Sequence, residues 1–275
     1  MTPADKAVDN DKTTAALQSY TTVQTMGNIG IITLNHESKR NALSKPLLAS
    51  LNKNLDDFKA GNIMVAIIRS QPDCKTWSAG HDIAELPVDR DPLGYFDPLE
   101  ESLRAIQNFH GPVIAMVQGG VWGGACDLVI TCDMVIGDPS STFAITPVKL
   151  GLPYNASGIM HFMNRVGINI AKEMFYTAMP VQAQRAKEVG ILNHLVPAAD
   201  LEKFTIEMAQ QIAGHSPLSI SVIKEQFKLL SNAHPMNPET FEKIEGIRRQ
   251  VYFSNDYAEG IKAFFEKRPP VFKGN

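Results

Sequence analysis

Two glycine-containing loops constrain this chain most: Ser78-Ala79-Gly80-His81-Asp82-Ile83, and further along Val121-Trp122-Gly123-Gly124-Ala125. Each follows an apolar, strand-like stretch and carries glycine where the backbone must turn or let another group come close. A lone pair of such glycines would serve tight turns. Two loops of this kind, each leaving a strand, can fold together and aim two backbone N–H groups at one oxygen atom. That arrangement is an oxyanion hole, which stabilises negative charge developing on a carbonyl oxygen.

The surrounding pattern supports strands feeding loops. Tyr20–Met26 and Ile29–Leu34 are rich in β-branched residues and are separated by Gly27-Asn28, a hairpin signal. Ser44 offers an N-cap, Pro46 suits a first helical turn, and Leu47, Leu48, Leu51 and Leu55 recur at helical spacing. Met64–Arg69 reads as a buried strand leading into the first loop, and Val113–Val117 as one leading into the second. Met134–Ile136 is again strand-like, and Gly124 is expected to open a helix through Thr131. Strands alternating with helices argue for right-handed βαβ crossovers in an α/β fold. After Pro153 the pattern is almost wholly helical, with a cap and proline at Asn237-Pro238 and, in the last helix, Ile261, Phe264 and Phe265 on one face.

Composition excludes several classes of function. The 275 residues are enough for a sizeable core, and a net charge of −3 supplies no global field for nucleic acid or anionic membrane. Cys74, Cys126 and Cys132 fit neither a disulfide framework nor a zinc motif, which suggests a reducing compartment. No apolar stretch is long enough to span a bilayer, and the first residues carry Asp5, Asp9 and Asp11 with no apolar signal region. A cytoplasmic location is expected. The histidines lack metal-site spacing, and neither a dinucleotide fingerprint nor a Walker loop is present.

The two loops, with Thr146-Pro147-Val148, Tyr154-Asn155 and the ending Ala263-Phe264-Phe265-Glu266-Lys267-Arg268-Pro269-Pro270, resemble the crotonase (enoyl-CoA hydratase/isomerase) superfamily. The resemblance runs from about Tyr20 to Gly274. It implies a crotonase-like spiral of β-β-α turns with a helical C-terminal region, preceded by a flexible tail at 1–19. The spiral core would occupy 20–210, and 211–275 would form a trimerisation region within a homohexamer. It also implies that the ligand is an acyl-CoA thioester, so that CoA arrives with the substrate and no separate cofactor is needed.

Residue roles follow from the same resemblance. His81 and Gly124 match the two residues whose backbone N–H groups form the family's oxyanion hole. Lys39, Ala42, Ala79, Gly80, Asp82, Ile83, Trp122 and Gly123 match its substrate-binding loops, with Lys39-Arg40 toward the CoA phosphates and Trp122 at the acyl pocket wall. Family hydratases use two glutamates, and the matching positions here hold Asp127 and Pro147. Hydration needs a carboxylate pair to orient and deprotonate water, so the loss of one undermines that chemistry. Decarboxylation needs neither, since no C–H proton is removed. Tyr154, with Thr146 as a second polar contact, resembles the tyrosine with which the family's decarboxylases orient the substrate carboxylate. These features imply decarboxylation of methylmalonyl-CoA, or a close malonyl-type thioester, to propionyl-CoA and CO2. Two alternatives stand beside it: a hydratase or isomerase using Asp127 alone, and a non-catalytic acyl-CoA- or RNA-binding scaffold. From the sequence, Asp127 reads equally as a helix-surface or capping carboxylate.

Overall fold

The computed structural model describes residues 19–87, 91, 93–231 and 237–275. The expected flexible tail at 1–19 therefore lies outside the described residues apart from its last. The chain opens with a hairpin, β1 (Thr21–Met26) and β2 (Ile29–Leu34), turning at Gly27 as its positive φ of 58° permits. Then follow α1 (Lys45–Ala60), β3 (Val65–Ser70), β4 (Thr76–Ser78), α2 (Pro98–Asn108), β5 (Val113–Val117), β6 (Gly120–Trp122), α3 (Gly124–Thr131), β7 (Met134–Gly137) and β8 (Thr142–Ala144). The later elements are α4 (Ala156–Val166), α5 (Ile168–Thr177), β9 (Val181–Gln182), α6 (Ala183–Glu188), β10 (His194–Leu195), α7 (Leu201–Ala213), α8 (Pro217–Ser231), α9 (Pro238–Tyr252) and α10 (Asn255–Phe265).

The strands form two sheets. One runs β1-β2-β3-β5-β7-β10 and the other β4-β6-β8-β9, parallel except for the β1/β2 and β8/β9 pairs. Each turn of the spiral gives a long strand to the first sheet and a short one to the second, as β3 and β4 or β5 and β6 do. Period-2 alternation divides the buried residues of the larger sheet between two cores. Ile32, Leu34, Ile68, Ala115 and Val135 face α1, α2 and α3, while Ile31, Ile67, Ile114 and Ile136 face Leu201 and Ala209 of α7. The short strands β4 and β6 end where the two glycine loops begin, so the smaller sheet sets the loops side by side.

Two local expectations need correction. Ser44 occupies the N-cap of α1, yet its hydroxyl is buried with no partner; the Glu85 carboxylate accepts from the Lys45 N–H at 2.9 Å instead. The helical reading after Pro153 misses β9 and β10. They are two residues long, too short to show an alternating pattern, and exist only because β8 and β7 offer them edges. Ile261 is buried, but Phe264 and Phe265 of the same helix are about half exposed. The buried residues of α10 are Tyr257, Gly260, Ile261 and Ala263.

That face of α10 supports the site. Gly260 lets the Leu150 carbonyl approach so closely that a Cβ there would lie 2.1 Å from it, and Gly151 (φ 66°) turns against the Asp256 carbonyl. The C-terminal helix thereby backs the short 3-10 turn Pro147–Leu150, which runs between Thr146 and Tyr154. Among the described residues, no helix is long and apolar enough to cross a membrane.

Candidate active site

Gly80 has φ of 84°, and a Cβ on it would lie 2.3 Å from the Trp122 carbonyl oxygen and 3.2 Å from the Gly124 nitrogen. No side chain fits there, so the first loop lies directly against the second. A Cβ on Gly124 would in turn come 3.7 Å from the His81 nitrogen. Among the described residues, neither the His81 nor the Gly124 N–H donates to a protein acceptor, whereas flanking amides do. Leu43 N–H bonds the Gly80 carbonyl at 2.8 Å, Ala79 N–H the Arg40 carbonyl at 2.9 Å and Gly123 N–H the Ala144 carbonyl at 2.9 Å. The loops are thus tied down on both sides while two neighbouring donors stay free. Gly124 is also the first residue of α3, so the helix dipole adds positive potential at the same place.

The His81 ring points away from this role. Its Nε2 is 3.6 Å from Asp97 Oδ2, and its Nδ1 lies 3.2 Å from the Asp82 carbonyl. Burial works to depress the ring's pKa, but the Asp97 carboxylate and the Asp82 carbonyl outweigh it and raise the value. Thr146 stands at the second loop, its Oγ1 3.1 Å from where a Cβ on Gly123 would be.

Beneath Gly124, one turn along the same face of α3, lies Asp127. It is buried, not a surface or capping carboxylate, and His161 of α4 donates to its Oδ1 from Nδ1 at 2.7 Å. Tyr154 is buried beside it, its ring edge-to-face with Phe162 and Phe175. Burial first, then the nearby Asp127 charge, push the Tyr154 hydroxyl well above the ordinary tyrosine range, so it stays a neutral phenol. Glu100 of α2 completes this polar layer. Asn155 Nδ2 donates to its Oε1 at 2.5 Å and the Ser157 hydroxyl to its Oε2 at 3.2 Å, which pins α2 to the start of α4. Burial raises the Glu100 pKa against the Asn155 bond, and Asp127 adds to the rise.

The remaining sequence-derived residues are spread around the loops. Asp82 caps the 3-10 turn Ile83–Glu85 by accepting from Ala84 N–H at 3.1 Å, and Ile83 packs toward Tyr252 and Tyr257. Ala42 is buried behind the first loop, and Lys39 ends an exposed 3-10 turn, Glu37–Lys39. The Trp122 ring covers Gly120. His161 and Glu100 are the residues that sequence reasoning missed. Both lie beside buried apolar positions, Phe162 and Leu99, and their partners stand far away in the chain.

Residues 24–275 match the family model described as enoyl-CoA hydratase/isomerase. The chain belongs to the enoyl-CoA hydratase/isomerase family. It is 48% identical to methylmalonyl-CoA decarboxylase of Escherichia coli (strain K12) over 93% of this chain and 98% of the relative. It is 32% identical to the human mitochondrial enoyl-CoA hydratase domain-containing protein 3, covering 92% of this chain and 83% of that protein. Among solved structures, methylmalonyl-CoA decarboxylase in complex with 2-nitronate-propionyl-CoA superposes with a TM-score of 0.92 at 47% identity, covering 93% of this chain and 99% of the other. The match spans the spiral and the C-terminal helices of this family member alike.

The unbonded groups at His81 and Gly124 are backbone N–H groups, so a donor role there would not need the histidine ring. His81→Ala keeps the N–H and is expected to hold thioester turnover within about tenfold of wild type. Gly124→Pro removes the N–H at a first helical position where proline is tolerated, and turnover should fall at least about a hundredfold. Steady-state kinetics on the two folded variants checks this, and equal losses would contradict it.

Proposed function

We propose that this protein decarboxylates methylmalonyl-CoA to propionyl-CoA and CO2. The observation that carries the reading is the state of the carboxylates around the oxyanion donors. The second hydratase glutamate position holds Pro147, and Asp127 at the first is engaged by His161. Glu100, the other buried carboxylate nearby, has both oxygens bonded by Asn155 and Ser157. No free carboxylate pair remains among these to orient and deprotonate water. The 48% identity to a methylmalonyl-CoA decarboxylase and the superposition on its solved structures point the same way.

In this reading the thioester carbonyl accepts from the His81 and Gly124 N–H groups. As the C–C bond to the carboxylate breaks, its electron pair forms an enolate, and the two donors stabilise the charge that grows on oxygen. The bond that breaks must stand perpendicular to the thioester plane, so that its electrons enter the carbonyl π system. The Tyr154 and Thr146 hydroxyls hold the carboxylate in that orientation. Neutral donors suit the task, because a lysine or arginine would stabilise the ground-state carboxylate and raise the barrier. Lys39, Ala42, Ala79, Gly80, Asp82 and Ile83 hold the CoA side, and Trp122 and Gly123 the acyl side. CoA enters with the substrate, and the chemistry requires no other cofactor.

We also propose a cytoplasmic homohexamer. Support comes from α8, on which Leu218, Val222, Phe227, Leu229 and Leu230 are apolar and exposed. Light scattering should give about 180 kDa for six chains of 30.2 kDa; a stable monomer at micromolar concentration would contradict it.

Incubation with methylmalonyl-CoA, malonyl-CoA and crotonyl-CoA, followed by thioester masses, tests the activity. Loss of CO2 from methylmalonyl-CoA should outpace hydration of crotonyl-CoA by at least about a hundredfold, the scale of one major catalytic contribution. Faster hydration would restore the hydratase reading, and bound acyl-CoA with no turnover would favour a scaffold.

A further inference from the structure

Decarboxylation consumes one proton per turnover, because the enolate left by CO2 must gain a C–H bond. The oxyanion donors are backbone amides and supply none. We propose that His161 and Asp127 carry this proton from the protein surface to Tyr154, which delivers it to the enolate; the inference rests on the decarboxylase reading above.

The geometry forms a continuous line. His161 is partly exposed and borders a surface cavity of about 220 Å³ between α3, α4 and α8. On that side its Nε2 lies 3.1 Å from Gln107 Nε2 of α2, the amide donating to the ring. On the inner side Nδ1–H meets Asp127 Oδ1 at 2.7 Å. Asp127 lies beside the buried Tyr154, one helical turn below Gly124. Cavity, imidazole, carboxylate and phenol therefore follow one another in order, and the last is the hydroxyl proposed above to hold the substrate carboxylate.

The proton and electron accounting closes. The Tyr154 O–H proton moves to the α-carbon of the enolate, whose electron pair forms the new C–H bond and restores the thioester. A tyrosinate beside the Asp127 charge is strongly disfavoured, so the phenol must be reprotonated at once. The ring first takes a proton at Nε2 from the cavity side, the Gln107 amide turning its carbonyl oxygen toward it, and the imidazolium then gives its Nδ1 proton through Asp127 to the tyrosinate. A half-turn of the imidazole then returns a proton to the inner nitrogen. Burial depresses the His161 pKa, but the Asp127 bond and charge, with Glu100 behind, raise it. Lys224, Lys228, Arg165 and Asp133 border the cavity from outside.

A fixed donor leaves a stereochemical signature that does not depend on which step limits the rate. Turnover of methylmalonyl-CoA in D2O gives propionyl-CoA with one deuterium at C2, and the wild type should give a single configuration. His161→Gln can still donate to Asp127 but cannot relay a proton, so the enantiomeric excess should fall by at least half. Imidazole added to His161→Ala should restore it through the cavity. Asp127→Asn cuts the same line should the His161 variants fail to fold, as judged by their melting curves. Wild-type enantiomeric excess in a folded His161→Gln protein, whatever its rate, would overturn the route, and so would a racemic product from the wild type. Wild type that forms no propionyl-CoA would overturn the underlying decarboxylase reading and the route with it.

Discussion

The site depends on one close contact, the approach of the Gly80 loop to the Trp122 carbonyl and the Gly124 nitrogen. A single methyl group at Gly80 would stand 2.3 Å from that carbonyl, so the two loops touch only because glycine leaves the space. Both loops leave short parallel strands of the smaller sheet, β4 and β6, which fixes their separation before any side chain is considered. The two free amides are then a property of the backbone. Keeping them unbonded inside a folded protein costs free energy, and it is the neighbouring amides, bonded to Arg40, Gly80 and Ala144 carbonyls, that hold the loops in place.

Around these donors neutral hydroxyls stand beside paired carboxylates. The groups assigned to the substrate carboxylate, Tyr154 and Thr146, are neutral, and burial beside Asp127 keeps the Tyr154 phenol protonated. Beside them Asp127 pairs with His161, and Glu100 is bound by Asn155 and Ser157. Family relatives that hydrate enoyl-CoA need carboxylates free to reach water, whereas here the equivalent aspartate is held by an imidazole. The same fold serves different reactions through such changes in the site.

Much of the spiral was legible in the sequence because its elements are locally encoded. Val113–Val117 and Gly124–Thr131 have the bounds that their residue patterns suggested, and Asn237-Pro238 starts α9 as a capped helix should. The His81 and Gly124 donors could be proposed because glycine spacing marks a loop. Less visible was what depends on contacts across the fold. Nothing local distinguishes Asp127 as a buried partner from a surface carboxylate, since its histidine comes from α4. Glu100 reads as an ordinary first-turn acid of α2 until Asn155 reaches it. The exposed Phe264 and Phe265 show the opposite limit: apolar residues signal burial somewhere, and a neighbouring subunit is as good a partner as the chain's own core.

The central claim is that neutral hydroxyls orient a carboxylate whose electrons the paired amides then receive. Steady-state kinetics of Tyr154→Phe on methylmalonyl-CoA tests it most directly, because the change removes one hydroxyl and almost no volume. The account predicts a kcat at least about tenfold lower, roughly 1.4 kcal/mol of barrier, with KM nearly unchanged and the melting temperature preserved. An unchanged kcat in a well-folded variant would contradict the account and leave Tyr154 a packing residue.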